Sequence, residues 1–174
     1  MLFWGVCSLF LGGLFGGYCR LRYTAKVLLL SWKQLLDLSL RKRRVLHEMV
    51  KIYSLPFPKL EEEIAFLIQG SKYSLKEFLN AYYEDSFTFY EMERFFTLRL
   101  KRTLESLKTL PHTEAISSLM EELLACENAF SFEVRAFEKA AETYVSLHNH
   151  LVVGLAGKLF RFPKVPLLSL AEMI

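Results

Sequence analysis

Along most of the chain, apolar positions recur at the three- and four-residue steps of an α-helix, in blocks separated by proline or glycine. The opening block is different. "MLFWGVCSLFLGGLFGGYC", Met1–Cys19, carries no charged side chain, and "RLRYTAK" follows it directly. A helix of about 19 residues reaches roughly 28 Å, close to the roughly 30 Å hydrocarbon thickness of a bilayer. Nothing between Gly17 and Pro56 would stop a helix, so the first one is expected to continue unbroken to about Tyr53. Leu28, Trp32, Leu35, Leu38, Val45, Met49 and Ile52 form its apolar stripe.

"LPFP", Leu55–Pro58, ends that helix, and a shorter helical stretch is expected over Lys59–Gln69. Gly70 then marks a loop, and "SLKE", Ser74–Glu77, has the spacing of a capping box that restarts helix. A third long element covers about Asp85 to Leu110, with Phe89, Met92, Phe96, Leu100, Leu107 and Leu110 on one side, and Pro111 breaks it. A fourth extends from about Thr113 to His150. Its stripe is Ile116, Leu119, Leu123, Cys126, Phe130, Val134, Phe137, Ala141, Tyr144 and Leu151, the stepping that a long bundle seam needs.

No run alternates with period two for long enough to suggest a sheet, and long helices joined by short breaks pack antiparallel. The expected fold is all-α: an N-terminal transmembrane helix continuous with an antiparallel bundle of three to four long helices. The chain divides into an anchor (residues 1–19), the bundle (20–151) and an apolar-basic tail (152–174).

The chain has 174 residues, 52% of them hydrophobic and 24% charged, so the apolar excess is concentrated rather than spread. A cleaved export signal is the alternative for the opening block. It would want basic residues before the apolar run and small residues before the cut, whereas no Lys or Arg precedes this run and Tyr18 precedes Cys19. A retained anchor fits better. Arg20, Arg22 and Lys26 form a basic collar just after it. Basic residues near a span stay on the cytoplasmic side, so the expected location is a bacterial inner membrane with the N-terminus outside and the bundle in the cytoplasm.

Charge is also uneven beyond the collar. Up to Ser54 there are nine basic residues against Asp37 and Glu48, about +7; the remainder is about −4, and the two give the net +3. The "RKRR" cluster, Arg41–Arg44, lies about 30 Å of helix beyond Cys19, too far to touch lipid headgroups. It is expected to face acidic helices of the same bundle or a protein partner. No motif supports nucleic acid. Glu127 and Asn128 are the polar pair singled out on the fourth helix, either for a partner or, preferably, for a buried basic residue such as Arg43.

The two ends of the chain also carry a resemblance. "LMEELLACEN", Leu119–Asn128, with "FEVRAFEKAAETY", Phe132–Tyr144, resembles the LemA family of bacterial membrane proteins, whose pattern runs L-x-E-E-L-x-x-x-E-N and then an aromatic-spaced helix. Leu119, Glu121, Glu122, Leu123, Glu127 and Asn128 match the first part; Phe132, Ala140 and Tyr144 match the second, with Phe137 in place of tyrosine. "GLAGKLFRF", Gly154–Phe162, is similar to the family's tail, and Trp32, Gln34 and "LRKRR" to its W-x-Q-x-x-x-x-x-K-R-R segment. The family's proline-asparagine stretch after the basic cluster has no counterpart in "VLHEMVKIY". The resemblance implies a single span, an antiparallel helical bundle and no established enzymatic activity; one branch of the family is linked with shaping membranes.

Catalytic chemistry finds little footing. "HNH", His148–His150, sets two histidines at i and i+2, on different helix faces, and lacks the strand context of the nuclease motif. Lys51 stands where the second histidine of a zinc-protease helix would follow His47. No Glu-x-x-His pair exists for a di-iron bundle, so Glu61–Glu63, Glu121, Glu122 and Glu127, as candidate metal ligands, read rather as a solvated charged face. Cys7, Cys19 and Cys126 give no disulfide framework, and Cys126 reads as a core residue.

No enzyme and no cofactor are therefore expected. Gly12, Gly13, Gly16 and Gly17 make two overlapping G-x-x-x-G spacings, which in lipid allow close helix approach and homo-oligomer formation. Leu159, Phe160 and Phe162 with Lys158, Arg161 and Lys164 suit either packing along the bundle or the membrane interface. The expected function is a membrane-anchored scaffold or interaction protein whose partners are the bilayer, further copies of itself and an unidentified protein. A tethered ligand- or metal-binding bundle and an exported bundle are the alternatives.

Overall fold

The structure, a computed structural model, describes residues 2–53, 60–107 and 113–167, with side chains described at these positions except 2, 3, 5–7 and 107. The described residues form five helices: α1 (Leu2–Ile52), α2 (Leu60–Ser71), α3 (Leu75–Leu107), α4 (Glu114–His148) and α5 (Leu151–Leu159). The all-α bundle is thus present: α1, α3 and α4 are long, and α2 and α5 are short. The breaks expected at Leu55–Pro58 and Pro111, the side chain of Leu107, and Leu110 lie outside the described residues.

α1 is one unbroken helix of 51 residues, about 76 Å long. Gly17 does not interrupt it, because a glycine inside a helix costs only about 1 kcal/mol and neighbouring packing recovers that. α4 runs antiparallel beside it. Arg41 meets Glu122 and Ser31 meets Glu133, so numbers rise on one helix as they fall on the other. α2 is also antiparallel to α1, and α3 is parallel to it.

Two boundaries differ from the sequence reading. Gly70 is not a loop residue; it is buried inside α2, where an added Cβ would lie 2.8 Å from Leu36 Cδ1. Close approach of α2 to α1, rather than chain reversal, is what its missing side chain permits. The helix that restarts after Ser74, as expected, runs on without a break through Asp85, where a separate third element was expected to begin. The Ser74 box caps its start: the Ser74 N–H donates to Glu77 Oε2 at 2.8 Å and the Glu77 N–H to Ser74 Oγ at 3.4 Å. Thr113 caps α4 in the same way, accepting from the Ile116 N–H.

The core has two apolar parts. The larger centres on Trp32, whose ring lies 5.2 Å from Phe89 and 5.4 Å from Phe137, with Phe78 and Tyr82 beside them. The smaller joins Val45, Leu46 and Met49 to Phe96, Leu100 and Leu123. The α4 stripe is buried at Ile116, Leu123, Cys126, Phe130, Val134, Phe137, Ala141 and Tyr144. Leu151 departs from it: the helix ends at His148, and Leu151 begins α5 with 89% of its surface exposed.

α5 turns back from the end of α4 and lies on the N-terminal half of α1. Two close approaches lock it there. A Cβ at Gly154 would fall 2.5 Å from the His148 carbonyl oxygen, and one at Gly157 would fall 2.8 Å from His148 Cε1. The helix closes on a Schellman turn: the Phe162 N–H donates to the Gly157 carbonyl at 2.8 Å and the Arg161 N–H to that of Lys158 at 3.4 Å. Arg161, at φ 56°, occupies the left-handed position where glycine is usual. The following segment returns to α4, where the Tyr144 hydroxyl donates to the Pro163 carbonyl at 2.8 Å.

Among the described residues, no helix is long and apolar enough to cross a membrane. The transmembrane helix expected over residues 1–19 is therefore not supported by the described residues.

Candidate functional site

Two features stand apart from ordinary packing: a buried layer of charge between the two apolar cores, and an exposed apolar end beside a basic collar.

The charge layer is built from α1, α2, α3 and α4. Ser39, Lys42, Arg43 and Glu93 are fully buried, and Glu63 nearly so. Lys42 Nζ donates to Glu93 Oε2 at 2.9 Å and lies 3.2 Å from Glu127 Oε1. Arg43 donates through Nε to Glu63 Oε2 at 2.8 Å and through Nη1 to Glu93 Oε1 and, at 2.6 Å, to Ser39 Oγ. The Ser39 hydroxyl also donates to Glu93, and Arg99 bonds Glu63. Three cations (Lys42, Arg43, Arg99) thus face three carboxylates (Glu63, Glu93, Glu127), and the layer is neutral as a whole.

Burial alone would push the Glu93 carboxyl up; the adjacent Lys42 and Arg43 charges and the Ser39 hydrogen bond outweigh it and hold it below the ordinary carboxylate range. Burial lowers the Arg43 guanidinium from its ordinary value, which is so high that the group stays charged. The layer's ion pairs join α1 to α2, α3 and α4. Its chemistry is structural: it fixes how four helices meet.

The sequence reading placed these residues unevenly. Of the "RKRR" cluster, Lys42 and Arg43 point inward, while Arg44 is exposed and Arg41 pairs with Glu122 at 2.8 Å on the surface. Glu127 takes an internal partner, but that partner is Lys42 rather than Arg43, which pairs with Glu63 and Glu93. Asn128 is exposed, one helical position round from the seam. Glu63 is not part of a solvated face, since it follows Leu60 and precedes Leu67 on the stripe of α2 that packs against α1. Glu93 and Ser39 were missed. Both fall at stripe positions: Glu93 four residues after Phe89 and three before Phe96, and Ser39 four after Leu35.

The second feature is the end of the molecule where α1 begins. Trp4, Leu9, Phe10, Leu11 and Phe15 on α1 are exposed, and so are Leu151, Val152, Leu155, Leu159 and Phe160 on and just past α5. Exposed apolar side chains gathered at one end of a chain are a candidate binding face. Gly13 and Gly17 are taken up within the chain: a Cβ at Gly17 would lie 3.2 Å from Ala156 Cβ, and one at Gly13 would lie 3.5 Å from Val152 Cγ1. Gly12 and Gly16 face open space. Arg20, Arg22 and Lys26 are exposed one turn beyond, and no ion pair holds them among the described residues.

His148 and His150 are held apart. His148 is buried under Gly157, whereas His150 is exposed at the start of α5. Among the described residues no group of three or more His, Cys, Asp or Glu side chains is placed to hold a metal ion. No family model matches the chain, and no curated protein or solved structure matches it either.

Proposed function

We propose that this protein is a membrane-seated helical-bundle scaffold. The apolar run Met1–Cys19 enters the bilayer as its single anchor, and the bundle stands on the cytoplasmic side. The observation that carries the reading is the set of exposed apolar side chains at the start of α1 and on α5, with Arg20, Arg22 and Lys26 next along α1. Apolar side chains that water surrounds at one end of a long rod, with cations directly above them, suit an acyl layer capped by anionic headgroups. The continuity of α1 makes the seat rigid, so the bundle is held at a fixed angle to the membrane rather than on a tether.

The LemA resemblance supports the same reading. Two of its segments, "LRKRR" and "LMEELLACEN", lie side by side, joined by the Arg41–Glu122 and Lys42–Glu127 pairs. Gly12 and Gly16, which α5 leaves uncovered, supply a face through which two copies meet in lipid. No catalytic role is part of the proposal.

Fractionation of cells expressing the full chain tests it. Recovery in the membrane fraction after alkaline carbonate extraction is expected; recovery in the soluble fraction without detergent overturns the reading.

A further inference from the structure

Above the apolar end, the collar of α1, the start of α3 and the turn after α5 enclose a cleft of about 510 Å³. Three of its lining residues are cations, Arg22, Lys76 and Arg161, and no Asp or Glu lines it among the described residues. None of the three is ion-paired among the described residues. The wall between them is aromatic: the Tyr18 ring lies 4.7 Å from Phe160 and 5.9 Å from Phe162, and Arg22 donates to the Tyr18 hydroxyl at 3.1 Å. The cleft thus carries three cations and no carboxylate among the described residues, and an anion bound there would balance that charge.

Arg161 adds a second, independent observation. It holds the left-handed C-terminal position of α5, where glycine would be unstrained and would close the same two hydrogen bonds. A strained arginine in place of glycine is an outlier that points to a use for its side chain. Its guanidinium is the group that a phosphate oxygen pair engages best.

We infer that this cleft binds the phosphate headgroup of an anionic phospholipid, with Arg22, Lys76 and Arg161 around the phosphate. The lipid's acyl chains then run down the exposed apolar surface past Phe15 and Leu159. Tyr18, Phe160 and Phe162 stand at the level between them, where amphipathic rings favour the headgroup boundary. The site rests on the membrane-seated reading and adds to it: a simple anchor needs no headgroup preference, whereas this cleft imposes one.

Native mass spectrometry of the full chain in neutral maltoside detergent tests the inference, with phosphatidylglycerol, phosphatidylcholine or glycerol 3-phosphate added separately. One phosphatidylglycerol is expected to be retained at least fivefold better than phosphatidylcholine, and glycerol 3-phosphate to bind at least tenfold more weakly. Arg161→Gly, which removes the charge without straining the turn, is expected to lower the preference at least threefold, and Arg22→Gln with Lys76→Gln added to abolish it. Arg94→Gln, an exposed charge about 27 Å along α3 from Lys76, is expected to leave it unchanged.

Equal retention of the two lipids overturns the site, and so does a preference that survives all three substitutions or is lost equally in Arg94→Gln. Glycerol 3-phosphate binding as tightly as the lipid overturns the lipid as the source of the phosphate. Recovery of the Arg161→Gly variant in the membrane fraction, beside loss of its lipid preference, separates this site from the anchor itself.

Discussion

The ammonium of Lys42 lies 3.6 Å from the centre of the Phe130 ring, on the face of α4 that also brings Glu127 toward it. A lysine is rarely buried without full compensation, because removing its charge from water costs several kcal/mol. Here a ring face, one buried carboxylate and one half-buried carboxylate supply the compensation together. The charge layer therefore behaves as a unit, in which each member is tolerable only because the others are present.

Glu93 bonds Ser39, Lys42 and Arg43, and its removal leaves the two cations short of charge in the core. Glu93→Gln is expected to lower unfolding stability by roughly 3–5 kcal/mol, the range for breaking a buried ion pair from one side. Chemical denaturation followed by helical circular dichroism measures it. A loss below about 1 kcal/mol would mean that water reaches the layer and screens it.

The same carboxylate predicts an acid-sensitive fold. Its folded-state value lies below the ordinary one, so the unfolded chain takes up its proton first as pH falls. The stabilisation is complete above the ordinary glutamate value of about 4.3 and is lost as pH falls toward the folded-state value. Denaturation midpoints are expected to drop across that window, and to drop less in Glu93→Gln. Equal slopes for the two proteins would remove Glu93 from the account.

Much of the bundle was legible in the sequence because its helices announce themselves locally. The absence of a breaker after Gly17 points to the unbroken α1, and the spacing of Ser74 with Glu77 to the start of α3, whereas nothing local shows that this helix continues through Asp85. Tertiary facts were less accessible. Gly70 reads as a loop in any single-chain analysis, since only the nearness of Leu36 shows that its missing side chain serves packing. Glu63 reads as solvated beside Glu61 and Glu62 until α1 presents Arg43 to it. The one available signal was an acid on an apolar stripe, as at Glu93, where burial with a cation is the only tolerable state. The α5 turn-back had no local marker beyond Gly154 and Gly157, which are as compatible with a tail as with a docked helix.

That docking makes Gly157 a sensitive position. A Cβ there would lie 2.8 Å from His148 Cε1 and 3.0 Å from Nδ1, against a buried ring that also packs 4.9 Å from Tyr144. Gly157→Val is expected to cost roughly 1–3 kcal/mol through overpacking and to release α5 from α1. Hydrogen exchange resolves the site of the damage: amides of 151–159 should lose protection while those of α3 keep theirs. Uniform loss would indicate global destabilisation instead.

Arg161 should show the opposite sign. At φ 56° a residue with a side chain is strained by roughly 1–2 kcal/mol, and the Schellman bonds around it use only backbone atoms. Arg161→Gly keeps those bonds and removes the strain, while glycine's greater freedom in the unfolded chain returns part of the gain. A net stabilisation of about 1 kcal/mol or less is expected by chemical denaturation, in a variant that has lost a charge from the cleft. A stability gain coupled to weaker anionic-lipid retention is what a strained functional residue requires. A destabilised variant would show instead that the guanidinium is held by the fold for the fold's own sake, and the strain would then carry no functional meaning.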